Sequence, residues 1–487
     1  MQSQSPAGVW ASPRVQAASD QALSERPVLQ TSAPVSITDA IALCGCAALA
    51  NGIAFATPSG AAAILVILPC LCLLGRLLTA RRSFYFGLLA GILMYAPHLA
   101  FFWKIFAARS ILLWLIAGFP IGIVILLLYH SHRRLGATWA MLLTPILWTG
   151  VEYFRSEAYY LKFAWLLPGQ AAAFLPGVGL ARVGVYGLGF IYAMLAAMIV
   201  GRSALIRTVG LAASIVLGIL MYLPIFPAGP HASPLHVAGI QLESPTEAQA
   251  AAALDHLAIA HPEAQILVLS EYTFTGPVPQ SVREVIRKHG RYLVASGIRL
   301  ADGGDFHDTA FVIDPEGRDV FEQAKSVPVQ FMGDGLAATQ RRVWESPWGK
   351  IGIAICYDIG YSRAMDEFVR QGAQALIIPT MDLRSWGLYE RRMLHGRLAP
   401  IRSVEYGIPI FGVWSSGESQ LTDRFGKIIA KAGYPGQGAI VYGPLRLESK
   451  GHLPPDRPLA IGAMYATYAT GLYILVLIVW RTRGHRA

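Results

Sequence analysis

The sequence predicts a helical membrane unit of about eight spans joined to a single water-soluble α/β domain. Three observations lead to that class. The chain is 54% hydrophobic and only 14% charged, with mean hydropathy +0.45, which is too apolar for an ordinary soluble protein. Apolar stretches of about bilayer length, ~20 residues, fall at 37–56, 60–79, 84–103, 111–130, 137–154, 178–200, 206–226 and 459–480. Between the last two, residues 236–450 have normal globular composition and alternate strand-like with helix-like segments.

Taken in order, residues 1–35 are rich in Ser, Ala, Gln and Pro and read as a disordered cytoplasmic tail. They lack the basic start and immediate apolar core of a cleavable signal peptide. Residues 36–228 form the membrane domain, with about seven transmembrane helices. Its second span runs close to Arg76 and its fifth carries Pro145. Basic residues set the orientation, because cytoplasmic loops retain Lys and Arg. Arg76, Arg81 and Arg82 follow the second span, Arg133 and Arg134 the fourth, Arg202 and Arg207 the sixth, and Arg481, Arg483 and Arg486 the eighth. Lys104, Arg109 and Lys162 dilute the contrast on the other side. An odd number of spans before the α/β domain places that domain outside the cytoplasm, in the periplasm of a bacterium.

The domain itself spans 235–450. LHVAGIQLE (235–243), ILVLSEY (266–272), RYLVASGIR (291–299), DTAFVIDPEG (308–317), KIGIAICYD (350–358), AQALIIPT (373–380) and IPIFGVWSS (408–416) read as strands. EAQAAAALDHLAIAH (247–261) and SRAMDEFVRQG (362–372) have helical periodicity, which argues a layered α/β fold. Ile-Asp-Pro-Glu-Gly at 313–317 and Asp-Arg-Phe-Gly at 423–426 read as turns. A C-terminal transmembrane helix at 458–480 and a cytoplasmic tail at 481–487 close the chain.

The net charge of +10 raises a nucleic-acid reading, but many basic residues lie in short loops between apolar runs, where they act as topology signals. Nucleic acid is therefore not an expected partner. Cys44, Cys46, Cys70 and Cys72 lie in apolar segments and read as small packing residues. Cys356 is the only cysteine of the α/β domain, so no disulfide framework exists there. No GxGxxG, P-loop or metal-ligand cluster is present, and neither a cofactor nor a metal is implied.

Three polar side chains follow apolar strands: Glu271 after ILVLS, Lys325 after FEQA, and Cys356 after GIAI. In open α/β folds ligand chemistry gathers at the carboxyl ends of strands. A thiol there needs a base to become a nucleophile, which a carboxylate supplies, and a lysine favours thiolate and oxyanion alike. Taken singly, each has a bland reading, the cysteine as a small buried hydrophobe and the charged pair as solvated surface.

The order Glu271, Lys325, Cys356 resembles the nitrilase (carbon–nitrogen hydrolase) superfamily. GIAICYD resembles its nucleophile strand, SEYTFTGP its glutamate loop, AKSVP its lysine segment and DTAFVIDPEGR the strand–turn–strand unit before that lysine. PILWTGVEYFR (145–155), FAWLLPGQ (163–170) and RVGVYGLGFIYAML (182–195) are similar to the apolipoprotein N-acyltransferase family. The resemblance implies an extracytoplasmic α-β-β-α sandwich and a monomer in the bacterial inner membrane. It also implies two half-reactions. Glu271 deprotonates Cys356, which takes an acyl chain from a phospholipid while Lys325 stabilises the oxyanion. The thioester then passes the chain to the amino terminus of a diacylglyceryl-cysteine lipoprotein.

Several loops depart from the family pattern. Asp358 stands where Glu usually follows Cys-Tyr, and Ser270 precedes Glu271 in place of Pro. Pro328–Asp334 replaces Pro-Phe-Gly-Glu, with Asp334 as the stand-in second acid. Thr380-Met-Asp382 and Ser415-Ser416-Gly417 replace two Asn-containing runs. Asp334, Tyr357, Asp358 and Trp386 are the expected substrate-binding residues, with Trp386 against an acyl chain. These departures leave open a divergent paralogue, including the plasmid-conjugation type, and a membrane-tethered amidase using the same triad. A non-catalytic assembly protein would have no use for all three triad residues, and a transporter would leave the α/β domain unexplained.

Near the end of the fifth span, Glu152 and Arg155 are spaced to pair on one helix face. Trp103, Trp114, Trp148 and Trp165 read as interfacial belt residues, and His395 as a surface helix residue.

Overall fold

The computed structural model describes residues 35–56, 58–171, 178–201, 203–221, 235–387, 396–433, 436–447 and 450–484. The expected disordered tail, apart from Val35, lies outside the described residues, as do Arg202, His395 and Arg486.

The N-terminal unit is helical: α1 (Ile37–Ala56), α2 (Ile64–Leu74), α3 (Ala80–Tyr95), α4 (Phe102–Phe106), α5 (Ser110–Arg134), α6 (Ala137–Tyr153), α7 (Pro168–Ala171), α8 (Val178–Ile199) and α9 (Ala204–Met221). The second expected span is broken, because Pro58–Ala63 is a 3₁₀ segment and α2, carrying Pro69, is only 11 residues long. The third ends at Tyr95, just before Pro97, and the chain turns before α4. Pro145 instead sits buried inside an unbroken α6. Among the described residues, four helices are long and apolar enough to cross a membrane: Ile37–Ala56, Phe102–Arg134, Arg182–Ile199 and Asp456–Trp480. The protein is a membrane protein by this criterion. The last of these belongs to α14 (Asp456–Gly484), which runs beyond the apolar stretch into the expected tail, because residues 481–483 include neither Gly nor Pro.

The α/β domain contains two six-stranded sheets built on one repeated plan. In the first, β1 (Leu235–Ile240), β2 (Ile266–Val268) and β3 (Tyr292–Leu300) are parallel, and β4 (Phe306–Ile313) and β5 (Asp319–Ala324) continue antiparallel. In the second, β7 (Gly349–Ile353), β8 (Ala375–Thr380) and β9 (Ile410–Trp414) are parallel, with β10 (Gln420–Thr422) and β11 (Ile428–Lys431) antiparallel after them. β12 (Ile440–Leu445) and β6 (Val343–Ser346) add antiparallel edges beside β1 and β7. Helices α10 (Glu247–Ala260), α11 (Gln280–His289), α12 (Ser362–Arg370) and α13 (Leu398–Tyr406) connect the parallel strands, and a Thr246–Gln249 capping box starts α10. Side chains of both sheets share one apolar cluster, including Val237, Val294, Ile353 and Ile377. At Gly239 the first sheet approaches the second so closely that a Cβ would collide with Val413.

A buried ion network ties this domain to the helical unit. Gly184, at φ 72°, breaks the regular course of α8 and releases backbone N–H groups that helix would otherwise satisfy. Tyr186 and Gly187 donate theirs to the Asp456 carboxylate, at 2.8 and 3.2 Å. Next to it, Arg457 pairs with Asp366 (2.9 Å), Glu405 (3.0 Å) and Asp456 (2.8 Å), and Glu405 also pairs with Arg402. Arg402 donates to the carbonyls of Ile359 and Gly360, in the turn that Cys356 opens. Burial disfavours the Glu405 carboxylate, but Arg457 and Arg402 outweigh it and hold the group down at about 2.

Because that pKa lies below the unfolded value, the stabilisation from Glu405 is fully present above about pH 4.5 and is lost as pH falls towards 2. The expected outcome is a native junction at pH 5 and acid-induced loss of structure below about pH 4. Glu405→Gln removes the charge and lowers the thermal midpoint at pH 7 while flattening its decline on acidification. Circular dichroism melts of the detergent-solubilised protein across pH 2–7 check this, and parallel curves for parent and variant would refute it.

Candidate active site

Glu271 and Cys356 both lie three residues beyond their strands, since β2 ends at Val268 and β7 at Ile353. The reading of unbroken strands through 266–272 and 350–358 is corrected accordingly, because both segments turn once they leave the sheets. Tyr272 takes φ 50° immediately after Glu271. Cys356 itself takes φ 46°, opening the 3₁₀ turn Cys356–Gly360. Left-handed backbone at a non-glycine residue costs ~1–3 kcal/mol and concentrates at functional sites. Lys325 directly follows β5, and its N–H is bonded to the Asp308 carbonyl at 2.8 Å. The first sheet thus supplies Glu271 and Lys325, and the second supplies Cys356.

The structure brings these side chains together. Lys325 Nζ donates to Glu271 Oε1 at 2.6 Å, and the Cys356 thiol is hydrogen-bonded to the same carboxylate. The second Glu271 oxygen accepts the Met381 N–H at 2.6 Å, from the loop after β8. Asp334 lies 2.7 Å from Lys325 Nζ and also accepts from Tyr272 Oη at 2.9 Å and Val329 N–H at 2.7 Å. A third carboxylate, Asp308, lies 3.6 Å from the ammonium and accepts from Ser296 Oγ at 2.8 Å. All four side chains are buried.

Burial would raise the Glu271 carboxyl, yet the Lys325 charge and hydrogen bonds from Asp308, Lys325 and Cys356 hold it below its usual range. Burial would lower the Lys325 ammonium, but Glu271, Cys356 and the two aspartates push it well above. Asp308 goes the other way: burial first, then the Glu271 charge, drive its carboxyl well above the usual carboxylate range. The Glu271–Asp308–Asp334 oxygens cluster as a metal site would, but the Lys325 ammonium stands among them as their cation.

Asp358, expected among the substrate-binding residues, is engaged by backbone donors. Its carboxylate accepts the backbone N–H groups of Ser326 (3.0 Å), Val327 (2.7 Å) and Ile355 (3.1 Å). It therefore joins the lysine segment to the nucleophile turn and does not line the cavity described next. Burial pushes this carboxyl up to about 6 against the pull of those donors.

Glu271, Lys325, Asp334, Cys356, Tyr357 and Trp386 open on one chamber of about 380 Å³. Its far wall comes from the helical unit: Leu99, Phe101, Phe102, Ile105 and Phe106, then Leu113, Ile116 and Ala117 of α5, and Phe163 and Trp165 after α6. Tyr357 and Tyr361 both donate to the Lys162 carbonyl, and Trp165 meets Tyr357 edge-on at 5.6 Å. Trp165 and Trp148 are buried, so the belt reading fails for both; packing between elements takes precedence over the interface. The sequence reading passed over Arg155 as a chamber residue and Asp308 as a member of the Lys325 cluster. The signal for Asp308 was a lone carboxylate opening an otherwise apolar strand.

Residues 243–452 match the carbon-nitrogen hydrolase family model, and residues 47–198 match that of the apolipoprotein N-acyltransferase N-terminal domain. The chain is an apolipoprotein N-acyltransferase-like member of the nitrilase superfamily. Curated relatives are amidases. Omega-amidase NIT2 of Danio rerio is 26% identical over 194 residues, 36% of this chain and 68% of that protein. Its Homo sapiens counterpart is 22% identical over 213 residues, 38% of this chain and 72% of that protein. Among solved structures, Nit3 of Saccharomyces cerevisiae matches 44% of this chain and 91% of its own at 20% identity, with TM-score 0.39. An amidase from Nesterenkonia sp. matches 45% and 93% at 20% identity, with TM-score 0.38.

Asp358→Ala leaves three buried N–H groups without an acceptor, at roughly 1–3 kcal/mol each before relaxation. The expected outcome is a thermal midpoint lowered by more than about 5 °C and at least tenfold slower alkylation of Cys356 by a maleimide. Asp358→Asn, which keeps an acceptor oxygen, recovers part of both. Parent-like melting and labelling of the alanine variant would exclude the bridging role.

Proposed function

We propose that this protein moves an acyl chain from a phospholipid, through a Cys356 thioester, to the amino terminus of a diacylglyceryl-cysteine lipoprotein. The observation that carries the reading is that the Cys356 thiol shares one apolar chamber with Glu271, Lys325 and the side chains of the helical unit. A nitrilase-type nucleophile acting on a small water-soluble amide has no need of such a wall. An ester carried by a lipid tail does.

In the first half-reaction Glu271 accepts the thiol proton and Cys356 Sγ bonds to the ester carbonyl carbon, with the Lys325 ammonium facing the developing oxyanion. The carbon–oxygen ester bond then breaks, and the proton passes from Glu271 to the departing alkoxide, giving a lysophospholipid. In the second half-reaction the lipoprotein amine attacks the thioester carbon. An amide forms, the carbon–sulfur bond breaks, and Glu271 relays the amine proton back to the sulfur. Exclusion of water by Phe101, Phe102, Phe163 and Trp165 protects the thioester between the two steps.

This reading carries with it about eight membrane spans, an α-β-β-α sandwich, a monomer in the bacterial inner membrane, and a catalytic domain facing the periplasm. Water as acceptor gives a membrane-tethered amidase or esterase with the same triad, which the apolar wall disfavours.

Incubating the parent protein with phospholipid radiolabelled in its acyl chains is expected to give a hydroxylamine-labile protein adduct, and Cys356→Ser is expected to give none. Absence of the adduct from the parent would remove the thioester step. Glu271→Gln is expected to slow adduct formation by at least about 100-fold, the size of a general-base contribution.

A further inference from the structure

We propose that Arg155 is the phosphate-binding residue of the chamber, seating the phosphodiester of the acyl donor so that its ester reaches Cys356. The proposal rests on the phospholipid-dependent reading above and specifies which residue selects that donor.

Arg155 is 4% exposed and lines the same chamber as Cys356. Its guanidinium has no carboxylate partner among the described residues. Nη2 makes one long hydrogen bond, 3.4 Å, to the Trp165 carbonyl, and Nη1 has no acceptor. The rings of Tyr95 and Phe163 lie 5.0 and 5.2 Å from the guanidinium carbon. Such faces attract a cation but accept no directed hydrogen bond of ordinary strength.

The expected pairing with Glu152 does not form. A π-turn over Phe154–Ala158 ends α6 and carries Arg155 out of the helical spacing that would stack the two side chains. Glu152 turns towards Gly189 of α8, and its Oε1 is also without a partner. Arg155 is left facing the chamber.

A buried guanidinium with unused donors costs several kcal/mol unless an anion arrives to meet it. The chamber's own carboxylates are committed: Glu271 and Asp334 both hold Lys325. The missing acceptor must come with the ligand. A phosphodiester suits a planar guanidinium, which offers paired N–H donors to two oxygens of one group. The apolar remainder of the chamber suits the acyl chains. An uncharged glyceride would fill the same wall and leave Nη1 unsatisfied.

The test compares donors with identical acyl chains, a phospholipid and a diacylglycerol, in detergent micelles, reading the rate of Cys356 adduct formation. The parent is expected to prefer the phospholipid by about 10- to 100-fold, the value of one or two charge-assisted hydrogen bonds. Arg155→Gln is expected to reduce that preference to within about threefold, and Arg155→Lys to retain part of it. A parent without preference between the donors overturns the proposal whether or not the variants fold. An Arg155→Gln protein whose two rates fall together, with the ratio unchanged, overturns it as well and makes Arg155 a packing residue. A parent that forms no adduct with either donor removes the acyl-transfer reading itself, which is a distinct result.

Discussion

The ammonium of Lys325 is the interaction on which the site depends. A lysine removed from water is tolerated only when anions surround it, and here Glu271 and Asp334 lie at 2.6 and 2.7 Å with Asp308 at 3.6 Å. Those groups come from the loop after β2, the start of β4 and the loop after β5. Glu271 is in turn held by the Met381 N–H after β8 and meets the thiol that follows β7. The cluster is therefore complete only when both sheets are in place. Its charge balance also explains why the Asp308 carboxyl is driven up while that of Glu271 is held down.

Two bridges extend this constraint outward. Asp358 binds the lysine segment to the nucleophile turn through backbone N–H groups alone, so the separation of Lys325 and Cys356 does not depend on flexible side chains. Behind that turn, Arg402 holds the Ile359 and Gly360 carbonyls and joins the Glu405–Arg457–Asp456 network at the entrance of α14. Broken helix geometry at Gly184 is what makes donors available to Asp456. The nucleophile is thereby fixed against the helical unit, and the chamber between them acquires a wall that the α/β domain alone does not have. Arg155 stands in that wall with a donor to spare.

The amino-acid sequence by itself determined the broad architecture and the chemical types. Apolar runs and the strand–helix alternation over 235–450 pointed to a membrane unit and an α/β domain, since burial in lipid or in a sheet core demands those patterns locally. Glu271, Lys325 and Cys356 were visible because polar groups ending apolar strands are unusual and their order resembles a known superfamily. Tertiary structure alone decided the rest, because the deciding contacts join residues far apart in the chain. Asp358 becomes a bridge between two segments only when Ser326, Val327 and Ile355 converge on it. Asp308 becomes part of the cluster only when β4 lies beside β3 and β5. Glu152 and Arg155 have the spacing of a helical pair, but a π-turn separates them, and no local pattern announces a turn that long-range packing selects.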